Sequence, residues 1–130
     1  DIEAANRRLA NLREAGIKVC IDDFGAGAAA FDYLRKLAVD AVKIDGAIVK
    51  DILTEERSKT LLHTIVEMCH SMKLETIGEM IETEAVAAEL KSAGVDYGQG
   101  WLFGRAEAEP RTQLAAPTMV RRRGTVEAWG

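Results

Sequence analysis

Ile17-Lys18-Val19-Cys20-Ile21-Asp22-Asp23-Phe24-Gly25 is the stretch that decides the fold. The apolar run at 17–21 predicts a buried strand. It delivers two adjacent carboxylates, Asp22 and Asp23, to the strand's C-terminal end, where Gly25 lets a loop begin. Unpaired buried carboxylates are expensive, so a pair at this point implies a metal ion or acid–base chemistry. Three later strand-like segments also end in polar groups: Lys43-Ile44-Asp45, Glu79-Met80-Ile81-Glu82 and Tyr97-Gly98-Gln99-Gly100. Polar groups at the C-terminal ends of four strands make the layout of a (β/α) barrel's active face.

Between these strands the periodicity turns helical. Ile2, Ala5, Leu9 and Leu12 recur at helical spacing over residues 2–15, and Gly16 is a fitting stop. A small-residue loop at 25–28 leads into a short helix around 31–37. A strand at 41–44 precedes a helical turn at 48–53. Leu61, Leu62, Ile65, Val66 and Cys69 mark a helix over 57–72. A strand at 75–78 follows, then a helix over 83–93 with Thr83 as N-cap and Gly94 at its exit, then a strand within 95–101. Alternation of this kind predicts a parallel sheet with right-handed crossovers. Four βα units are half of the eight that close a barrel of about 250 residues. An isolated half leaves strand edges uncovered, so the chain is expected to belong to a longer protein. Pairing of two copies, or a self-sufficient doubly wound sheet, are the other arrangements. The start at Asp1 points the same way, to a processed or excised segment. Residues 1–110 form the expected domain. Residues 111–130, with Arg121-Arg122-Arg123, read as a tail whose arginines are either solvated or hold an anion or partner.

The 130 residues suffice for one domain with a core. A net charge of −4 argues against a whole-chain grip on polymeric nucleic acid, yet a bound divalent cation can reverse the sign of a local site. Cys20 and Cys69 form no CxxC pair and read as reduced core residues. No apolar run approaches the ~20 residues that span a bilayer. His63 and His70, seven apart on one helix, read as surface or packing residues, and Trp101 and Phe103 as packing.

Four strings carry a specific resemblance. They are Ile21-Asp22-Asp23-Phe24-Gly25-Ala26-Gly27, Val39-Asp40-Ala41-Val42-Lys43-Ile44-Asp45-Gly46, Ile77-Gly78-Glu79-Met80-Ile81-Glu82-Thr83 and Asp96-Tyr97-Gly98-Gln99-Gly100-Trp101-Leu102-Phe103. In order and spacing, residues 16–105 resemble the C-terminal half of the EAL domain family, the cyclic di-GMP phosphodiesterases. The resemblance implies an α/β fold, a partial TIM (β/α) barrel made of its last four βα units with parallel strands. It assigns Asp22 and Asp23 as ligands of Mg²⁺ or Mn²⁺, in a two-metal site in the complete domain. Hard divalent cations do prefer carboxylate oxygens. Successive strand residues point to opposite faces, so both aspartates serve one site only if the strand ends there. By the same resemblance Lys43 stabilises the nucleophile or the developing phosphorane charge. Glu79 is a metal-site or general-base carboxylate, and Gln99 contacts water, metal shell or substrate. Asp45 orients Lys43 or joins the network on the substrate side, Arg105 contacts phosphate, and Glu82 serves structure and dimer coupling. Bland readings stand beside these: Asp45 as a helix cap, Glu82 as a first-turn helix charge, Lys43 as a solvated strand-end lysine.

The implied activity is hydrolysis of cyclic di-GMP to linear pGpG by a cytoplasmic bacterial signalling domain whose parent is free or membrane-tethered, with the isolated chain inactive. The implied partners are cyclic di-GMP, the missing N-terminal half or a second copy, and a homodimer. The alternative is a degenerate domain acting as a cyclic di-GMP receptor or interaction module. Departures from the family pattern motivate that alternative. The loop Ala26-Gly27-Ala28-Ala29-Ala30 lacks every hydroxyl, Met80 replaces a glycine, Gly104-Arg105-Ala106-Glu107-Ala108 lacks the usual prolines, and the Glu-Ala-Leu string is absent from these residues.

Overall fold

The computed structural model describes residues 1–27, 29–100, 102 and 126–128. Its elements are α1 (Ile2–Glu14), β1 (Cys20–Phe24), α2 (Ala29–Lys36), β2 (Ala41–Ile44), α3 (Gly46–Asp51), α4 (Glu56–Ser71), β3 (Glu75–Gly78), α5 (Glu84–Ser92), β4 (Tyr97–Gln99) and β5 (Val126–Ala128). The strands form one sheet in the order β1-β2-β3-β4-β5. The first four are parallel, as the alternation requires, and β5 pairs antiparallel with β4. The sequence pattern after Pro110 contains no sign of that fifth strand, because three residues without apolar periodicity carry no strand signal of their own.

The two faces of the sheet differ. Val42 and Ile44 of β2 join Phe24, Leu62, Ile65, Val66, Cys69 and Leu90 in the main core, which the helices cover. Ala41 and Ile77 form a separate cluster with Cys20 and Tyr97 against it, on the opposite face. All four residues of β2 are buried, as expected of a parallel strand covered on both sides. Removing each large apolar side chain of the main core from water contributes about 1.5–3 kcal/mol.

The first strand differs from its expected span. It runs through both aspartates to Phe24 instead of ending at Ile21. Its register with β2 slips on the way: Ile21 pairs with Val42 and Phe24 with Ile44, so three steps on β1 match two on β2. One residue is therefore extra, which is a β-bulge. Ile21 and Phe24 both pack on the helix-covered core although they are three apart. Asp23 takes the left-handed backbone, with φ 53°.

Other boundaries moved by a turn or less. Thr83 caps α5, its hydroxyl accepting the Val86 N–H at 3.2 Å. Gly16 and Gly94 end helices with positive φ, 84° and 90°. Helix α1 forms but buries none of its residues fully. Polar links hold it: Asn6 Nδ2 donates to the Lys36 carbonyl at 3.0 Å, Asn6 Oδ1 accepts the Ala38 N–H at 2.9 Å, and Arg13 Nε lies 3.0 Å from Asp40 Oδ1. Both cysteines are free thiols, and burial pushes the Cys69 thiol up to about 11. No helix among the described residues is long and apolar enough to cross a membrane.

Candidate metal centre and active site

Strand periodicity stacks the residues of the non-helical face in layers. At the N-terminal end of the strands, Lys18 Nζ donates to Glu75 Oε1 at 2.6 Å, and the Tyr97 hydroxyl donates to Glu75 Oε2. Above lie Cys20, Ala41 and Ile77. Two residues further along come Asp22 on β1, Lys43 on β2, Glu79 just past β3 and Gln99 on β4. Lys43 is 5% exposed and Gln99 6% exposed. Lys43 is therefore not a solvated strand-end lysine.

Asp22, Asp23 and Glu79 each offer a carboxylate oxygen, and these oxygens all lie within 4.8 Å of one another. The bulge explains how two neighbouring aspartates reach one site. Asp22 shares the parity of Cys20, and the inserted Asp23 in left-handed backbone turns its side chain back to the same rim. The Asp23 N–H also donates to Asp22 Oδ1 at 2.9 Å.

Glu79 shows what the cluster lacks. Its Oε1 is buried with no hydrogen-bond partner. Burial pushes its carboxyl up to about 8, helped by the hydrogen bond that the protonated carboxyl donates to Asp22 and by the Asp22 charge, while Lys43 pulls it back down. Three hard oxygen donors, one of them orphaned, fit a divalent cation such as Mg²⁺ or Mn²⁺. The same raised pKa fixes a pH dependence. An acid whose folded-state pKa lies above its unfolded value stabilises the metal-free fold at low pH. That contribution is lost as pH rises through about 8. A cation must displace the proton, so Mn²⁺ affinity is expected to climb by up to about tenfold per pH unit between pH 6 and 8 and then level off. Calorimetric titration across that range checks it. A flat profile would mean that Glu79 takes no part in holding the ion.

The remaining sequence candidates fall as follows. Asp45 occupies the N-cap position of α3, but its side chain makes no cap hydrogen bond, so the helix-capping reading does not hold. Its backbone N–H donates to the Phe24 carbonyl at 2.9 Å, which ties the ends of β1 and β2 together. Glu82 lies in the turn before α5. Arg105, Trp101, Phe103 and Arg121-Arg122-Arg123 lie outside the described residues. His70 Nε2 sits 2.9 Å from Asp96 Oδ2, which also accepts from the Thr76 N–H and hydroxyl at 2.8 and 3.1 Å. That network joins the end of α4 to the sheet, a structural use for the histidine. Sequence reasoning missed Gly100. Its φ is 155°, and a Cβ there would lie 2.8 Å from the Ile81 carbonyl carbon and closer still to the Ile81 N and O. The Ile81 N–H donates to the Gln99 carbonyl at 3.1 Å, and the Leu102 N–H to the Ile81 carbonyl at 3.0 Å. The segment carrying Glu79 is thus pinned against the segment carrying Gln99.

The EAL domain family model matches residues 1–106. The chain belongs to the EAL domain family. A cyclic di-GMP phosphodiesterase of Shewanella oneidensis, PdeB, is 37% identical over 99 residues, covering 76% of this chain and 12% of that protein. An EAL domain protein from Listeria monocytogenes superposes with a TM-score of 0.76 at 31% identity, over 81% of this chain and 42% of that one. Klebsiella pneumoniae BlrP1, solved as a manganese and cyclic di-GMP complex, superposes with a TM-score of 0.68 at 33% identity, over 76% of this chain and 25% of that one. The chain therefore spans a minor part of the relatives it matches. Its partial barrel is the EAL fold, with four parallel strands in one sheet.

Proposed function

We propose that this chain supplies the metal-binding rim of a cyclic di-GMP phosphodiesterase site, as part of a complete EAL barrel. The observation that carries the reading is the convergence of Asp22, Asp23 and Glu79 within 4.8 Å. Buried Lys43 lies on the same face. Relatives named as cyclic di-GMP phosphodiesterases support the substrate. Asp22, Asp23 and Glu79 would hold Mg²⁺ or Mn²⁺, two ions in the complete domain, which when bound acidify water and neutralise phosphate charge. Lys43 places a fixed ammonium where negative charge grows at phosphorus, and burial strengthens it against solvent. Gln99 orients water or substrate, and Asp45 and Arg105 lie on the substrate side. Water adds to phosphorus, the bond to the ribose 3′ oxygen breaks, the leaving oxygen takes a proton, and linear pGpG is released.

In this reading residues 1–110 are the barrel half and 111–130 a C-terminal tail from which 126–128 return to the sheet as β5. The domain works in the cytoplasm with its other half, or in a homodimer, and the isolated chain does not turn over substrate. The receptor alternative draws on Met80 and on the hydroxyl-free, alanine-rich stretch 26–30. One assay separates the two. The complete domain is incubated with cyclic di-GMP and Mn²⁺, and pGpG is followed by chromatography. Turnover is expected. Nucleotide affinity without turnover would establish the receptor and end the enzyme reading.

A further inference from the structure

Among the described residues three non-glycine positions have positive φ: Asp23, Lys73 and Met80. Lys73 ends a helix. The other two sit at the carboxylate cluster. Met80, at φ 56°, directly follows Glu79. Left-handed backbone costs a residue with a side chain about 1–2 kcal/mol, and such strain persists only where the surroundings impose it.

The surroundings of Met80 are specific. Its side chain lies on Gly46, at the start of α3: a Cβ on Gly46 would lie 2.8 Å from Met80 Cγ, 3.3 Å from its Cβ, and would overlap its sulfur. Gly46 follows Asp45, whose amide is tied to β1. The turn is fixed at both ends. Gly78 pairs with Gly98 in the sheet, and Ile81 is fully buried with its N–H and carbonyl both bonded to the β4 side. Only Glu79 and Met80 bridge those fixed points. Yet Glu79 keeps a buried oxygen without a partner. A flexible side chain would turn such an oxygen toward water. Nothing in catalysis needs a thioether here, and Met80 is 57% exposed, so core packing does not explain it either.

We propose that Met80 is a positioning residue. Its side chain, seated on Gly46, clamps the turn between β3 and α5 and so holds the Glu79 carboxylate beside Asp22 and Asp23. The inference rests on the metal-site reading for its purpose but not for its geometry. Glycine at position 80 removes both the strain and the clamp, whereas leucine keeps a side chain of similar reach. The test compares wild type, Met80→Gly and Met80→Leu by thermal melting, by amide hydrogen exchange at Ile81, and by Mn²⁺ titration. Met80→Gly is expected to melt higher while its Ile81 amide exchanges about tenfold faster and Mn²⁺ binds about tenfold more weakly. Met80→Leu is expected to match wild type in exchange and affinity. Unchanged Ile81 exchange in Met80→Gly overturns the proposal, and so does a leucine variant that behaves like the glycine one. Wild type that binds no Mn²⁺ at all would instead overturn the metal-site reading, and the exchange measurement would still decide the clamp.

Discussion

Asp22→Asn in a complete EAL domain carrying this sequence is expected to lose about a thousandfold or more in cyclic di-GMP hydrolysis. The substitution keeps the shape and one oxygen but removes a unit of negative charge from a three-carboxylate cluster. Disturbing groups that merely orient metal ligands costs roughly 10–100-fold, so deleting the charge of a direct ligand costs more. The same change acts oppositely on the metal-free fold. Asp22 is the main charged neighbour that raises the Glu79 pKa, by hydrogen bond and by charge. Above about pH 8, where both carboxyls are ionised, asparagine relieves that repulsion, so the metal-free variant is expected there to melt at or above the wild-type temperature. Functional clusters commonly show this opposition of stability and activity. Turnover and melting measured on the same preparation check both halves. Unchanged turnover would remove Asp22 from the site, and a large drop in melting temperature would show that its role is structural.

Gly100→Ala carries the largest expected effect on stability. Two penalties coincide there. The backbone has φ 155°, which side chains rarely adopt, and the added Cβ would overlap the backbone of Ile81. Backbone cannot swing aside as a side-chain tip can. Ile81 is itself fixed by two hydrogen bonds and full burial. A loss of about 3 kcal/mol or more is expected, equivalent to roughly 10–15 °C in melting temperature for a domain of this size. Gly27→Ala is the control, because a Cβ at Gly27 meets nothing within 4 Å. Equal melting of the two variants would mean that the two segments do not approach as described.

Much of this was legible in the residue order. The strand-like segments at 17–21, 41–44 and 75–78, each followed by charge, located the parallel strands and the rim that carries Asp22, Lys43 and Glu79. Thr83 and Gly94 marked helix ends because caps are local chemistry. The span of β1 was not legible. A bulge depends on the partner strand's register, and nothing within residues 20–24 says that Ile21 and Phe24 will both face the helices. Asp45 illustrates the opposite error: its position suits a cap, yet its side chain makes no cap bond.

The sequence by itself determined the alternation of strand and helix, the identity of the acids and the lysine, and the family. Each of these follows from residue type and spacing along a few turns of chain. The tertiary structure alone decided that two adjacent aspartates share one rim, that Glu79 holds its proton up to about pH 8, that Met80 sits on Gly46 and that Gly100 abuts Ile81. Those features arise between segments tens of residues apart, where desolvation, register and steric contact act through space and leave no mark in the local pattern.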